Sequence, residues 1–136
     1  MREIKFRAWD KKEKKMHYDA QNTYDFMINN GGCFEESFKD VLEYDNYVVM
    51  QYTNCYDING KEIYEGDIVK VIDLAPLDAS YGKQYIGKII YDKDRFKIDY
   101  KDTCPCDTRI YTDFPYWIKI EVIGNVYENK NLLEVK

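Results

Sequence analysis

Residues 47–72, Tyr47-Val48-Val49-Met50-Gln51-Tyr52-Thr53-Asn54-Cys55-Tyr56-Asp57-Ile58-Asn59-Gly60-Lys61-Glu62-Ile63-Tyr64-Glu65-Gly66-Asp67-Ile68-Val69-Lys70-Val71-Ile72, carry two strand signals separated by two chain reversals. Tyr47 to Thr53 is rich in β-branched and aromatic side chains, which suit a pleated surface. Asp57-Ile58-Asn59-Gly60 then supplies an Asn-Gly pair for a tight turn. Glu65-Gly66-Asp67 reverses the chain again, with the glycine positioned for a backbone conformation that other residues resist. Ile68 to Ile72 follows as a buried strand. Strands this short with turns this close predict a bent sheet or small barrel, not a parallel α/β layer.

The pattern continues downstream. Leu74 to Gln84 carries Pro76 and Gly82 and reads as a loop, and Tyr85 to Tyr91 as a strand. Asp92-Lys93-Asp94 turns the chain. Phe96, Ile98 and Tyr100 alternate with Arg95, Lys97 and Asp99, so this strand has a core face and a wet face. Beyond the Cys104-Pro105-Cys106 loop come Arg109 to Thr112 and Phe114-Pro115, then a long strand from Trp117 to Tyr127 with a bend or bulge expected at Gly124. Asn131 to Glu134 suggests one closing helical turn.

Upstream, Ile4, Phe6 and Ala8 alternate with Lys5, Arg7 and Trp9, the period of a strand with one buried face. Asp10 to Lys15 reads as a turn, and Met16 and Tyr18 as the start of a returning strand, which together predict a hairpin. Residues 19–32 are weakly patterned and end in Asn29-Asn30-Gly31-Gly32, a loop signal. Phe34, Phe38, Val41 and Leu42 fall on one stripe at the helical period, the one convincing helix.

With 136 residues the chain has the size of a single domain. Fourteen tyrosines reinforce the β reading, and so many aromatic surfaces predict cover by a second copy, hence a homo-oligomer. No apolar run is long enough to span a bilayer, and Met-Arg-Glu-Ile-Lys-Phe-Arg lacks the apolar core of a secretion signal, so a cytoplasmic protein with no membrane contact is expected. The net charge of −5 gives no global case for nucleic acid. Charge is nevertheless polarised: residues 1–17 hold seven basic side chains (Arg2, Lys5, Arg7, Lys11, Lys12, Lys14, Lys15) against three acidic ones, a local +4 that leaves −9 elsewhere. Such a hairpin could touch phosphates, although a lysine-rich turn more commonly guards a strand edge.

Catalytic signatures are sparse. His17 is the one histidine, and it lies outside any recognisable nucleophile context. Phosphate loops, dinucleotide fingerprints, nucleophile elbows and zincin pairs are all missing. Cys33, Cys55, Cys104 and Cys106 are expected as free thiols in a reducing compartment. A four-thiolate zinc site is a minor alternative, because C-x-C with two distant thiols departs from the usual paired spacing. Glu62, Glu65 and Asp67, with Asp57 upstream, could pair carboxylates for acid/base work or bind a hard cation. The stronger reading is that they accept backbone N–H groups in the turns. Trp9, Tyr52, Tyr56, Tyr64, Tyr111, Tyr116 and Trp117 could stack on bases, but the Tyr111 to Tyr116 stretch has no basic residue and suits core or protein contact better.

Three blocks bear a resemblance to a known family. Arg2-Glu3-Ile4-Lys5-Phe6-Arg7-Ala8-Trp9-Asp10 with Lys15-Met16, then Met50-Gln51-Tyr52-Thr53 leading into Asp57 to Val69, and finally Glu121-Val122-Ile123-Gly124-Asn125-Val126-Tyr127-Glu128-Asn129, resemble the YopX family of phage and prophage proteins. Where the family pattern has glycine after Thr53 this chain has Asn54, which tolerates the same backbone conformation. The resemblance implies an SH3-like β-barrel region and a cytosolic product in an infected bacterium; it supplies no catalytic residues and no cofactor.

The chain is therefore expected to be mainly β (α+β): one YopX-like domain over 1–136, with an N-terminal β-hairpin and one short helix in 1–46 and the SH3-like barrel region in 47–136. Trp9, Gln51, Tyr52, Gly60, Tyr64, Glu65, Gly66, Asp67, Gly124 and Asn125 are expected to matter through turn and core geometry. The function expected is a non-enzymatic protein-binding or adaptor module acting on a host or phage protein, with no cofactor or metal. The alternatives are nucleic-acid binding through the basic hairpin and an enzyme using the carboxylates near Glu62, Glu65 and Asp67.

Overall fold

The computed structural model describes residues 2–22, 38–73, 82–101 and 118–133. The chain is mainly β, with two antiparallel sheets and, among the described residues, one short α-helix. It divides into two compact units, Met1–Tyr52 and Thr53–Lys136. The division falls inside a strand because the two halves of that strand have different partners.

In the first unit, β1 (Phe6–Asp10) pairs antiparallel with β2 (Lys15–Tyr18), Ala8 opposite His17, and with the first half of β3 (Tyr47–Tyr56), Ala8 opposite Val49. The described α-helix, α1 (Phe38–Glu43), buries Val41 against Ala8 and Ala20, with Phe6, Phe38, Tyr47 and Val49 around them. Two expectations need correction here. Leu42 is 52% exposed and does not belong to the buried stripe. β1 has no wet face, because Arg7, Ala8, Trp9 and Asp10 are all buried. Alternating polarity reports one-sided burial only where the polar residues meet water, and Arg7 and Asp10 do not.

In the second unit, the end of β3 lies with β4 (Glu62–Tyr64), joined by the Thr53 hydroxyl donating to the Ile63 carbonyl at 2.7 Å. β5 (Asp67–Asp73), β6 (Gln84–Asp92), β7 (Arg95–Tyr100) and β8 (Ile118–Asn125) form a sheet in the order β7-β6-β5-β8. Ile68 faces Gly124 while Val69 faces Val122, so Ile123 is an extra residue that bulges β8 beside Gly124 and curls the sheet into a half-barrel. One face carries the core: Val69, Val71, Ile89, Ile98 and Ile120, packed with Cys55 and Ile63. Each of these isoleucines contributes roughly 1.5 to 3 kcal/mol by burial. A 3-10 turn at Lys130–Leu132 follows β8; residue 134 lies outside the described residues, as do Phe34, the 109–112 segment, Phe114-Pro115 and Trp117. No described helix is long and apolar enough to cross a membrane.

Asn54 sits within β3 at φ 69°, the left-handed region where glycine is at ease and Asn is tolerated. We predict that Asn54→Gly changes stability by less than about 0.5 kcal/mol, whereas Asn54→Val, which must adopt a conformation hostile to a β-branched side chain, costs about 1 to 2 kcal/mol. Urea denaturation midpoints of the two variants check this.

Candidate functional site

The turns of the central block place its acidic residues. Asp57 is buried at the end of β3. Its Oδ1 accepts the N–H groups of Asn59 and Lys61, each at 2.9 Å, and Gly60 closes the same turn by donating to the Asp57 carbonyl. Its Oδ2 accepts the Val122 N–H of β8 at 2.9 Å, and the Ile58 N–H donates to Ile120 beside it. One carboxylate thus folds its own turn and staples that turn to a strand 65 residues away.

A second carboxylate works similarly. Asp67, 2% exposed, accepts the Tyr64 N–H at 2.7 Å through Oδ2, closing the Glu65-Gly66 reversal. Gly66 holds φ 88° there, donates its N–H to Ile89 and accepts from Val126. Glu65 and Glu62 are half-buried, and the Tyr64 hydroxyl lies 3.5 Å from Glu62 Oε1. After β8, Asn125 Oδ1 accepts the N–H groups of Tyr127 and Glu128 while its amide donates to Glu128. A Cβ at Gly124 would meet the Asn129 side chain at 2.5 to 2.7 Å, and that side chain accepts the Asn125 N–H. Gly124 therefore provides close approach.

In the first unit, Trp9 and Tyr52 are buried and Gln51 is half-buried opposite Phe6. Lys5 Nζ lies 4.6 Å from the centre of the Tyr52 ring. Lys11, Lys12, Lys14 and Lys15 are all exposed on the hairpin.

The sequence did not disclose a polar cluster beneath that hairpin. Asp10 is 3% exposed, and its Oδ1 accepts the N–H groups of Lys12 and Glu13 and the Asn46 amide at 2.8 to 3.0 Å. His17, also buried, places Nε2 3.9 Å from Asp10 Oδ2. Burial pushes Asp10 up, but the hydrogen bonds from Glu13, Asn46 and Lys12, with His17 nearby, hold it below the ordinary carboxylate value. Burial pulls His17 below the ordinary imidazole value, against Asp10 and with Lys15, so the ring is neutral at neutral pH. A signal for Asp10 existed: an Asp leading a four-residue polar turn is suited to accept the N–H groups two and three residues on.

Cys55 is a free thiol in the core, raised above its ordinary value by burial although the Thr53 hydroxyl pulls the other way, and so is poorly suited to nucleophilic chemistry. Cys33, Cys104, Cys106, Tyr111 and Tyr116 lie outside the described residues. Among the described residues, no three His, Cys, Asp or Glu side chains are grouped to hold a metal.

The same three blocks that supply these turns span the chain, and a family model described as YopX protein matches residues 5–134. The chain belongs to the YopX family. Among solved structures, this YopX-family chain is similar to protein EF1440 from Enterococcus faecalis, at 29% identity and a TM-score of 0.61, covering 98% of this chain and 100% of that one. It also resembles protein yopX from Bacillus subtilis, at 21% identity and a TM-score of 0.53, covering 96% and 98%. The second likeness concerns the fold alone. No curated protein matches the chain.

Proposed function

We propose that this YopX-family protein is a non-enzymatic, phage-encoded adaptor whose second unit is an SH3-like barrel and which binds a host or phage protein in the cytoplasm as a homo-oligomer. The observation that carries this reading is the pairing of two features in that unit. Asp57 and Asp67 are committed to backbone N–H groups, while the large apolar side chains Tyr56, Ile58 and Tyr91 stand 50 to 52% exposed. Exposed aromatic and aliphatic anchors are what protein interfaces use, and their cost in water is offset when a partner covers them. The carboxylate-enzyme alternative has less support, since an oxygen held by turn N–H groups is not poised for proton transfer.

The test is affinity capture from phage-infected host lysate with the wild-type chain and with Tyr56→Ser/Ile58→Ser/Tyr91→Ser. A specific partner lost in the triple variant, with thermal unfolding little changed, supports the reading; the same proteins captured by both would contradict it.

A second reading rests on the four exposed hairpin lysines. Were they a phosphate-binding surface, retention on heparin would weaken steeply with salt and disappear in the Lys11→Ser/Lys12→Ser/Lys14→Ser/Lys15→Ser variant. Salt-independent flow-through of the wild type is what the adaptor reading expects.

A further inference from the structure

An asparagine followed by glycine is chemically labile, because the glycine has no side chain to hinder attack by its own nitrogen on the asparagine carboxamide. Asn59-Gly60 is such a pair. Both residues are exposed, and no atom lies within 4 Å of the position a Gly60 Cβ would take, so crowding does not protect them. The turn geometry does. Neither Ile58 nor Asn59 has a positive φ, Gly60 stands at φ 81°, and the Gly60 N–H donates to the Asp57 carbonyl at 3.0 Å. That combination is a type I turn over residues 57–60 whose last residue, Gly60, takes the left-handed conformation of a bulged hairpin loop.

A turn of this type sets ψ of its third residue, here Asn59, at about 0°. The Gly60 nitrogen then lies on the side of the Asn59 nitrogen, and to reach Asn59 Cγ it must swing about the Cα–C bond by roughly a third of a revolution. That swing breaks the hydrogen bond from Gly60 to Asp57. The Asp57 carboxylate resists it further, since Oδ1 accepts the N–H groups of Asn59 and Lys61 at 2.9 Å each and so holds the backbone on both sides of Gly60. The Asn59 carboxamide is itself turned towards β8, with Nδ2 3.5 Å from Glu121 Oε2.

We propose that Asn59 is a modification site gated by this turn: the closed turn preserves the carboxamide, and deamidation proceeds only in molecules whose 57–60 turn has opened. In the open form the Gly60 nitrogen gives its proton to solvent base and bonds to Asn59 Cγ. The Cγ–Nδ2 bond then breaks, Nδ2 takes a proton from solvent and leaves as ammonia, and a succinimide ring remains. Water adds to either ring carbonyl. Cleavage of the new N–Cγ bond gives aspartate, and cleavage of the main-chain N–C bond gives isoaspartate, so one water is consumed and one ammonia released in each case. Isoaspartate adds a methylene to the main chain between residues 59 and 60. The single Asp57 oxygen can no longer meet both the residue 59 and Lys61 N–H groups, and the opened turn becomes permanent. This site is independent of the adaptor reading.

The experiment follows the full chain at one mildly alkaline pH and one temperature, folded in buffer and unfolded in guanidinium. Peptide mass spectrometry counts aspartate and isoaspartate at Asn59 apart from those at the chain's other Asn-Gly pair, Asn30-Gly31. Product at Asn59 forming at least about fivefold more slowly in the folded wild type than in the unfolded chain supports the proposal, and a smaller difference overturns it. Asp57→Ala, which removes the carboxylate from the turn, should raise the folded rate severalfold. Asp57→Asn, whose carbonyl still serves the Asn59 and Lys61 N–H groups, should stay close to wild type. An Asp57→Ala protein that remains folded yet modifies as slowly as wild type overturns the gating. Should that variant unfold, the wild-type comparison still decides, together with hydrogen exchange: the Gly60 amide must be protected in the folded wild type, and an unprotected Gly60 amide overturns the proposal.

Discussion

Replacing Asp57 with alanine will destabilise the protein by about 3 kcal/mol, read as a fall in the urea midpoint at unchanged slope. The side chain is buried and accepts three backbone N–H groups, from Asn59, Lys61 and Val122. An orphaned buried donor costs roughly 1 to 3 kcal/mol, and water can reach the two in the turn more readily than the one on β8. Asp57→Asn separates these contributions. Its carbonyl can still serve the turn, but its amide would then face the Val122 N–H, donor against donor, costing about 1 to 2 kcal/mol. Against a total stability of about 5 to 15 kcal/mol, the alanine variant is close to the limit of folding. A loss below about 1 kcal/mol for alanine would mean that the turn holds without its carboxylate.

Asp10→Ala will cost a similar amount, about 2 to 3 kcal/mol, and will also alter the response to acid. His17 has a folded value below 6.5, so the unfolded chain takes up its proton first, and stability falls as pH drops below about 6.5. Asp10 has a folded value below 3.8, so its contribution is fully present above that range and is lost as pH falls through the lowered value. Both groups therefore make acid destabilising, in an upper and a lower window. Urea midpoints from pH 8 to pH 3 should show His17→Asn flattening the upper window and Asp10→Ala the lower. A wild type whose stability rises on going from pH 7 to pH 5 would contradict the assignment of a neutral buried imidazole.

The local parts of this architecture were open to sequence reading, and the non-local parts were not. The Asn59-Gly60 and Glu65-Gly66 turns, the alternation in β7 and the bulge beside Gly124 depend on neighbours in the chain, so residue type and spacing announce them. The carboxylates of Asp57 and Asp67 were legible as turn acceptors for the same reason. That Asp57 also reaches Val122 was not, because nothing in a turn specifies which distant strand it meets. Burial of Arg7, Asp10 and His17 was equally hidden: each is a polar residue in a lysine-rich stretch, where composition argues for water. Leu42 erred the other way, an apolar residue on a helical stripe that the packing leaves outside. Period reports which residues share a face, and tertiary contact decides whether that face is covered.

The architectural role of the central carboxylates can be read amide by amide. Native-state hydrogen exchange followed by NMR should find the Lys61, Tyr64 and Val122 amides protected in the wild type, with protection at Val122 lost in Asp57→Asn while Lys61, β5 and β6 stay slow. Unprotected amides at these three positions, or protection in Asp57→Asn equal to wild type, would mean that the carboxylates are free for some other use.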